Sequence, residues 1–173
     1  MVKWLLIVLG VVAVLVAVVW LIGASLPKEH VASRKVQLAQ SPEAIWAAIT
    51  DLDGFTAWRK DVKAIKRLPD ENGKPGWVET MDMGEIPLRV EEMTPPRRLV
   101  TRIADPNLPF GGTWTFEIES AEGGATLRIT ENGEVRPALF RFMSKYVFGQ
   151  TATIEAYLKN LAGKFGETAE LTE

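Results

Sequence analysis

The C-terminal stretch Pro137–Phe165 constrains the fold of this chain more than any other segment. From Val147 onward its apolar side chains recur at alternating steps of four and three residues, which is typical of one face of an amphipathic helix. A single helix of this length is roughly 40 Å long, so a long curved surface must cover its apolar face. Gly149 is the position at which we expect the helix to loosen. The face consists of Phe140, Val147, Thr151, Ile154, Leu158, Leu161 and Phe165.

Residues 1–27 are predicted to form a transmembrane anchor helix. The run Trp4–Ala24 contains no charged residue. A helix of that length spans roughly 32 Å, which is enough to cross a hydrocarbon core of about 30 Å. A cleaved signal peptide is the alternative, but its apolar region is typically only ~7–15 residues long. We therefore expect a single-pass membrane protein.

The orientation of this anchor is not decided by the charges beside it. Lys3 precedes the apolar run, and Lys28, Arg34 and Lys35 follow it. Basic residues thus flank the run on both sides, and long domains translocate largely regardless of charge. We favour a domain outside the cytoplasm and leave the opposite orientation open.

Residues 28–166 are predicted to form one domain of antiparallel strands and short helices. Ser41-Pro42-Glu43 begins a helix, because a capping hydroxyl, a proline and a carboxylate all favour a first turn. Phe55–Arg59 predicts a second short helix. Between turn-forming residues, the remaining segments alternate apolar and polar side chains, and their connections are too short for helical crossovers. Six or seven strands should therefore pair antiparallel, and residues 167–173 should form a frayed acidic tail.

Composition and motifs exclude several classes of function. The formal net charge is −2 and no long basic run is present, so we predict no nucleic-acid partner. The chain has no cysteine, and its one histidine, His30, lies a few residues after the apolar run. It carries no zinc-protease, nucleophile-elbow, P-loop or Rossmann motif. We therefore predict no cofactor, no metal site and no identifiable catalytic residue.

Several segments carry a resemblance to a known superfamily. They are Ser41–Trp46 after a first strand, Asp51–Trp58, Pro96–Leu99, Leu108–Trp114 and the C-terminal helix. Their order resembles the START/Bet v 1-like superfamily (SRPBCC) of polyketide cyclases and lipid-transport proteins, over about Val31–Gly166. The resemblance implies an α+β helix-grip fold, in which a curved antiparallel sheet wraps around the C-terminal helix. It also implies an internal pocket for a hydrophobic small molecule or lipid.

Nine residues are candidates for lining such a pocket. A buried tryptophan needs a partner for its N–H, which a cavity wall provides more easily than a dry core. A charge inside a strand is costly to bury unless it is paired, and Arg102 is a candidate partner for the inward-facing Glu131. Each residue also has an alternative interpretation without a ligand. The apolar residues then belong to the ordinary core, and the charged residues lie in water at the end of a strand. The candidates are Trp58, Trp77, Glu79, Arg102, Phe110, Trp114, Glu131, Met143 and Val147.

Three functional hypotheses follow. The first is membrane-anchored binding, transport or presentation of a hydrophobic small molecule or lipid in an internal cavity. The second is an enzyme of the cyclase or dehydratase type, with Glu131, Arg102 and Glu79 as acid–base groups. The third is a protein-interaction module that uses the outer face of the sheet or the loop Asp105–Gly112, which is also a candidate lid.

Overall fold

The computed structural model describes every residue from Met1 to Glu173. Its helices are α1 (Val2–Ser25), α2 (Pro42–Thr50), a 3-10 turn (Leu52–Gly54), α3 (Phe55–Trp58), α4 (Ala138–Met143), a π-helical turn (Ser144–Phe148) and α5 (Ala152–Lys164). Its strands are β1 (Glu29–Leu38), β2 (Ala64–Glu71), β3 (Lys74–Met81), β4 (Gly84–Thr94), β5 (Arg98–Ile103), β6 (Phe110–Ala121), β7 (Gly124–Val135) and β8 (Leu171–Thr172).

The strands form one open antiparallel sheet in the order β2-β3-β4-β5-β6-β7-β1-β8. The first strand therefore pairs with the seventh, with Glu29 opposite Glu134 and Leu38 opposite Ala125. The backbone N–H of Val135 donates to Lys28 O at 2.8 Å, which extends this pairing beyond β1. We call the end of the sheet where β1 begins and β7 ends the anchor end, because α1 and α4 both attach there. The predicted α+β helix-grip fold is confirmed.

The inner face of the sheet carries the hydrophobic core. Opposite residues of antiparallel strands share a face, so Leu99, Phe116 and Ile129 form one row across β5, β6 and β7. Helix α5 covers this face with side chains that are almost completely buried. The side chains from α5 are Ile154, Tyr157, Leu158, Leu161 and Ala162.

α2, the 3-10 turn and α3 close one side of the core, and capping hydrogen bonds mark the start of the first two. The Ser41 hydroxyl accepts from Ala44 N at 3.2 Å, which caps α2 directly before Pro42. The Asp51 carboxylate then accepts from Gly54 N at 3.2 Å and caps the 3-10 turn. These caps set the path of α3, whose Trp58 is buried in the core.

The predicted continuity of the helix over Pro137–Phe165 is wrong. At Gly149 the chain has φ of 81° and ψ of 140°, a conformation that glycine adopts far more readily than other residues, and the helix stops there. Of the two halves, the second, α5, covers the inner face of the sheet. The first half, residues 138–148, packs through α4 against α1, and the stripe residues Phe140 and Val147 are 46% and 56% exposed.

The contact between α1 and α4 is close. A Cβ atom at Gly23 would lie 2.0 Å from the carbonyl oxygen of Ala138, so only glycine permits this approach. The Arg141 guanidinium donates to the carbonyl of Gly23 at 2.8 Å. Gly23 is the only buried residue of α1, and the helix is long and apolar enough to cross a membrane.

The C-terminal tail is more ordered than predicted. Leu171 and Thr172 form β8, which pairs with Val36 and Lys35 of β1. The Glu167 carboxylate accepts from the backbone N–H of Ala39 at 2.9 Å. The tail therefore covers the outer edge of β1.

Candidate functional site

A pair of titratable side chains lies on the inner face near the anchor end. His30 Nε2 is 3.4 Å from Glu131 Oε1, and the two side chains are 11% and 19% exposed. Glu131 lies directly opposite Ala32 on β1 and opposite Trp114 on β6. The pair is therefore surrounded by the apolar side chains of the inner face.

The backbone beside this pair leaves room for it. Gly133 lies opposite His30 across the β1–β7 pairing. A Cβ atom there would lie 2.6 Å from His30 Nε2 and 2.7 Å from Glu131 Oε1. Glycine at this position thus allows the imidazole to lie over the strand and reach the carboxylate.

The environment of Glu131 favours its protonated form. Burial raises the pKa of Glu131, because a carboxylate loses hydration there. The charge of His30 and hydrogen bonding from Trp114 and His30 act in the opposite direction but do not cancel the effect of burial. Such a carboxyl can hold or release a proton in a partly apolar site.

A second polar cluster lies deeper in the core. Arg59 Nη1 donates to Glu79 Oε1 at 2.7 Å, and Arg59 Nη2 donates to Asp61 Oδ2 at 2.6 Å. The indole of Trp77 donates to the same Glu79 oxygen at 3.1 Å. The guanidinium also lies 5.0 Å from the centre of the Tyr157 ring. This cluster is paired throughout, which is the condition for burying charge at low cost.

Aromatic side chains fill the space between the sheet and α5. The ring of Tyr157 has its centroid 5.3 Å from that of Trp58, 5.9 Å from Trp114 and 5.5 Å from Phe116. Trp58 Nε1 is a buried donor without a hydrogen-bond partner. The internal hollow expected from the sequence is therefore occupied by side chains in this structure.

Two cavities lie elsewhere. A cavity of about 550 Å³ opens beside the start of α2 and the β4–β5 turn, and its lining is mostly polar. Its lining residues are Pro42, Glu43, Pro96, Arg97, Arg98, Glu117, Ile118, Glu119 and Ser120. A second, mostly apolar cavity of about 30 Å³ adjoins Trp77 and Leu99, and it is large enough for about one water molecule.

The structure brings some of the nine predicted residues together and separates others. Trp77 and Glu79 join the Arg59 cluster, while Trp114 and Glu131 join His30. Trp58 lies between these two groups on the Tyr157 ring.

The other four predicted residues lie apart from these groups. Arg102 is on the outer face of the sheet, where its Nε donates to Glu91 Oε1 at 2.7 Å, so the expected Arg102–Glu131 pair does not form. Phe110 is half-buried at the start of β6, opposite Val135. Met143 and Val147 lie on the segment that packs beside α1, and Val147 is exposed.

The loop Asp105–Gly112 is held rather than free. The Arg136 guanidinium donates to the carbonyl oxygens of Pro106 and Leu108 and also contacts the Glu134 carboxylate. These bonds tie the candidate lid to the end of β7. Opening the loop requires Arg136 to release it.

Sequence reasoning missed His30, Arg59 and Tyr157. In the sequence, the only visible feature of His30 is its short distance from the apolar run, but it is the second residue of β1, which pairs with the strand that carries Glu131. Arg59 directly follows Trp58. The signal that points to it in the sequence is Glu79, because a carboxylate buried inside a strand needs a cationic partner. Tyr157 lies between Ile154 and Leu161 at helical spacing. No group of three or more His, Asp or Glu side chains is arranged to hold a metal ion.

Similarity to solved structures supports the fold assignment. A START superfamily protein from Mycobacterium smegmatis matches with a TM-score of 0.63 and 20% identity, covering 78% of this chain and 96% of the other. A hypothetical protein from Helicobacter pylori matches with a TM-score of 0.65 and 15% identity, covering 78% and 87%. A di-domain aromatase/cyclase of the steffimycin biosynthetic pathway matches with a TM-score of 0.63 and 12% identity, covering 78% and 50%. At these identities the matches show the fold alone.

Comparison with protein families assigns the chain more specifically than the solved structures do. No curated protein matches the chain. The family described as polyketide cyclase / dehydrase and lipid transport matches residues 29–166, which include the whole sheet except β8, together with α2 to α5. By this match, the chain belongs to the polyketide cyclase/dehydrase and lipid transport family.

Proposed function

We propose that this protein is a membrane-anchored binding protein for a hydrophobic molecule that carries one polar group. The observation that carries the proposal is the His30–Glu131 pair, two titratable groups 3.4 Å apart beside Ala32 and Trp114 on the inner face. Small-molecule sites commonly combine apolar walls with a few convergent polar groups. In the proposed complex, Glu131 and His30 hold the polar group of the ligand and Trp114 contacts its apolar part.

The bilayer is the proposed source of this molecule. α1 is long and apolar enough to span a membrane, and we propose that it remains attached as an anchor. β1 begins four residues after α1 ends, so the anchor end of the sheet stays close to the bilayer surface. A molecule leaving the membrane there reaches Glu131 before it reaches the rest of the inner face.

The filled interior limits where the ligand lies. The Tyr157 aromatic cluster occupies the space beneath α5, so the proposed site is the anchor end of the inner face rather than its centre. Trp114 is half-buried and lies at the border of the two regions. Deeper insertion of the ligand requires the Trp114 or Trp58 ring to rotate away, and the unpartnered N–H of Trp58 is then available to it.

Binding can be tested with the full chain purified from membranes in mild detergent. Mass spectrometry of the intact complex should detect a retained apolar molecule, and an apolar fluorophore should bind saturably and compete with it. Trp114→Ala should weaken fluorophore binding about tenfold or more, because an aromatic side chain that contacts a ligand typically contributes more than about 1 kcal/mol to binding. Thr113→Ala is the matched control, since it precedes Trp114 on β6 but points to the outer face.

Two results would contradict the proposal. One is a full chain that retains no apolar molecule and shows no saturable fluorophore binding. The other is an equal loss of affinity for Trp114→Ala and Thr113→Ala, which would place the binding outside the inner face.

Acid–base catalysis on the bound molecule is a second candidate function. It is favoured by Glu131, whose pKa is raised by burial, next to an imidazole that can exchange a proton with it. Reactions of this type include proton abstraction and loss of water. If the retained molecule is a substrate, incubation should convert it to a product of different mass. Glu131→Gln should then abolish conversion while fluorophore affinity is kept, whereas simple binding predicts no conversion by either protein.

A further inference from the structure

We propose that residues 138–148, which we call the interfacial segment, lie in the headgroup region of the bilayer beside the C-terminal end of α1. The domain would then contact the membrane at two places, once through α1 and once through this segment. The inference rests on the proposed anchoring by α1, and its occupant is a lipid bilayer surface.

The interfacial segment carries most of the exposed apolar side chains of the domain. Among residues 28–173, eight large hydrophobic side chains are exposed, and five of them fall within these eleven residues. A concentration of this kind is unusual on a surface that contacts only water. The five are Leu139, Phe140, Tyr146, Val147 and Phe148.

The position of the segment relative to α1 identifies what covers these side chains. Arg141 donates to the carbonyl oxygen of Gly23, and Gly23 lies against the backbone of Ala138. α4 therefore touches the last turns of α1. The end of a spanning helix lies at the membrane surface, and Trp20, one turn earlier, is a residue type that favours that interface.

The charges of the segment suit the same location. Residues 138–148 include Arg141 and Lys145 but no acidic residue. Lys145 Nζ lies 5.6 Å from the centre of the Tyr146 ring, so a cation and an aromatic side chain lie together on the exposed surface. Apolar side chains combined with basic residues are typical of helices that lie in the plane of an anionic bilayer.

The segment joins the two elements that border the proposed site. β7 carries Glu131 and ends at Val135, two residues short of the segment, and α5 begins at Ala152, just beyond the break at Gly149. A membrane contact at this place would put the lipid headgroups beside the anchor end of the inner face.

Single-cysteine labelling of the full chain tests the inference, because the natural chain contains no cysteine. An environment-sensitive fluorophore is attached to the cysteine of Phe148→Cys or of Leu139→Cys. Each labelled protein is placed in vesicles of phosphatidylcholine and phosphatidylglycerol, which contain nitroxide-labelled lipids as quenchers. Val14→Cys, in the middle of α1, reports insertion of the anchor. Met93→Cys is the matched control, since Met93 is an exposed hydrophobic residue at the end of β4 opposite the anchor end.

We expect blue-shifted emission and lipid quenching at 148, 139 and 14, and water-like emission without quenching at 93. Water-like emission at 148 and 139 together with quenching at 14 would overturn the inference and leave the anchor intact. Absence of quenching at 14 would overturn both. Ligand binding is measured separately in detergent, so failure of the interfacial contact is distinguishable from failure of the proposed binding function.

Discussion

Arg59 Nη1 lies 2.7 Å from Glu79 Oε1, and both side chains are more than nine-tenths buried. Burial acts to lower the pKa of Arg59, but the charge of Glu79 and the hydrogen bond to Asp61 more than offset this effect, so the guanidinium stays cationic. The sequence placed Glu79 inside a strand without a partner. The structure supplies that partner from the residue directly after α3.

Glu79→Ala should destabilise the domain by about 3–5 kcal/mol, because it removes the buried carboxylate that pairs with Arg59 Nη1 and accepts from the Trp77 indole, leaving Arg59 with Asp61 alone. Urea denaturation of the full chain in detergent, followed by near-UV circular dichroism, measures the change. Glu91→Ala is the control, since Glu91 pairs with Arg102 on the exposed outer face, where an ion pair contributes only about 0–1 kcal/mol. Equal losses in the two variants would show that the Arg59–Glu79 pair is not buried.

Gly149→Ala should lower the free energy of unfolding by about 1–3 kcal/mol, because the φ of 81° at this position is strained for a residue with a Cβ atom. Gly163→Ala should instead raise it by about 0.5–1 kcal/mol, since this glycine lies inside α5. A Cβ atom at either position meets no neighbour within 4 Å, so the comparison isolates backbone conformation. A stabilising effect of Gly149→Ala would indicate that the helix is continuous.

Glu131→Gln should stabilise the folded protein at neutral pH relative to the natural chain. Burial raises the pKa of Glu131 above its ordinary value of 4.5, so the folded state binds that proton more tightly than the unfolded state does. Ionisation therefore costs stability as the pH rises from 4.5 through the raised pKa, and the full cost remains above it. Thermal melts across pH should show a higher Tm for the variant at neutral pH and a smaller difference in acid.

The control for this pH series is Glu134→Gln, because Glu134 lies on the same strand, is more exposed and pairs with Arg136 at 3.2 Å. If the natural chain gains stability relative to Glu131→Gln as the pH rises, the sign of the effect is reversed and Glu131 is not buried in the way described.

Gly133→Ala should move the His30 ring away from Glu131, because the added Cβ atom would lie 2.4 Å from His30 Cε1. His30 is the only histidine of the chain, so its imidazole nitrogen signals in NMR spectra are unambiguous. We expect these signals to shift in Gly133→Ala and to stay unchanged in Gly163→Ala. The amount of copurifying molecule detected by mass spectrometry should fall in the first variant and not in the second, if the pair holds the polar group of that molecule.

The sequence alone determined most of the elements of this fold and the faces of the strands that alternate clearly. Alternation along β6 put Trp114, Phe116 and Ile118 on one side, and short connections required antiparallel pairing. The Ser41 cap and Pro42 marked the start of α2. These features depend on neighbouring residues, and periodicity and capping act over a few positions, so they can be read without coordinates.

The predictions of a continuous C-terminal helix and of an Arg102–Glu131 pair are wrong, because in both cases the partners come from distant parts of the chain. The apolar stripe of the C-terminal stretch was correct for Ile154 and Leu158, but Phe140 and Val147 continue it on the far side of a break. An apolar stripe indicates that one face of the helix is covered, but it does not identify the element that covers it. In this protein the first half lies against α1 and the second half against the sheet.

Only the tertiary structure decided which charges meet. His30 and Glu131 are about a hundred residues apart and adjoin because β1 pairs with β7, whereas Arg102 turns to the outer face and pairs with Glu91. A one-residue change of register would reverse each of these placements, since successive side chains on a strand point to opposite faces. Local sequence sets the period of a strand, but the pairing partner and its register are set by packing of the whole core.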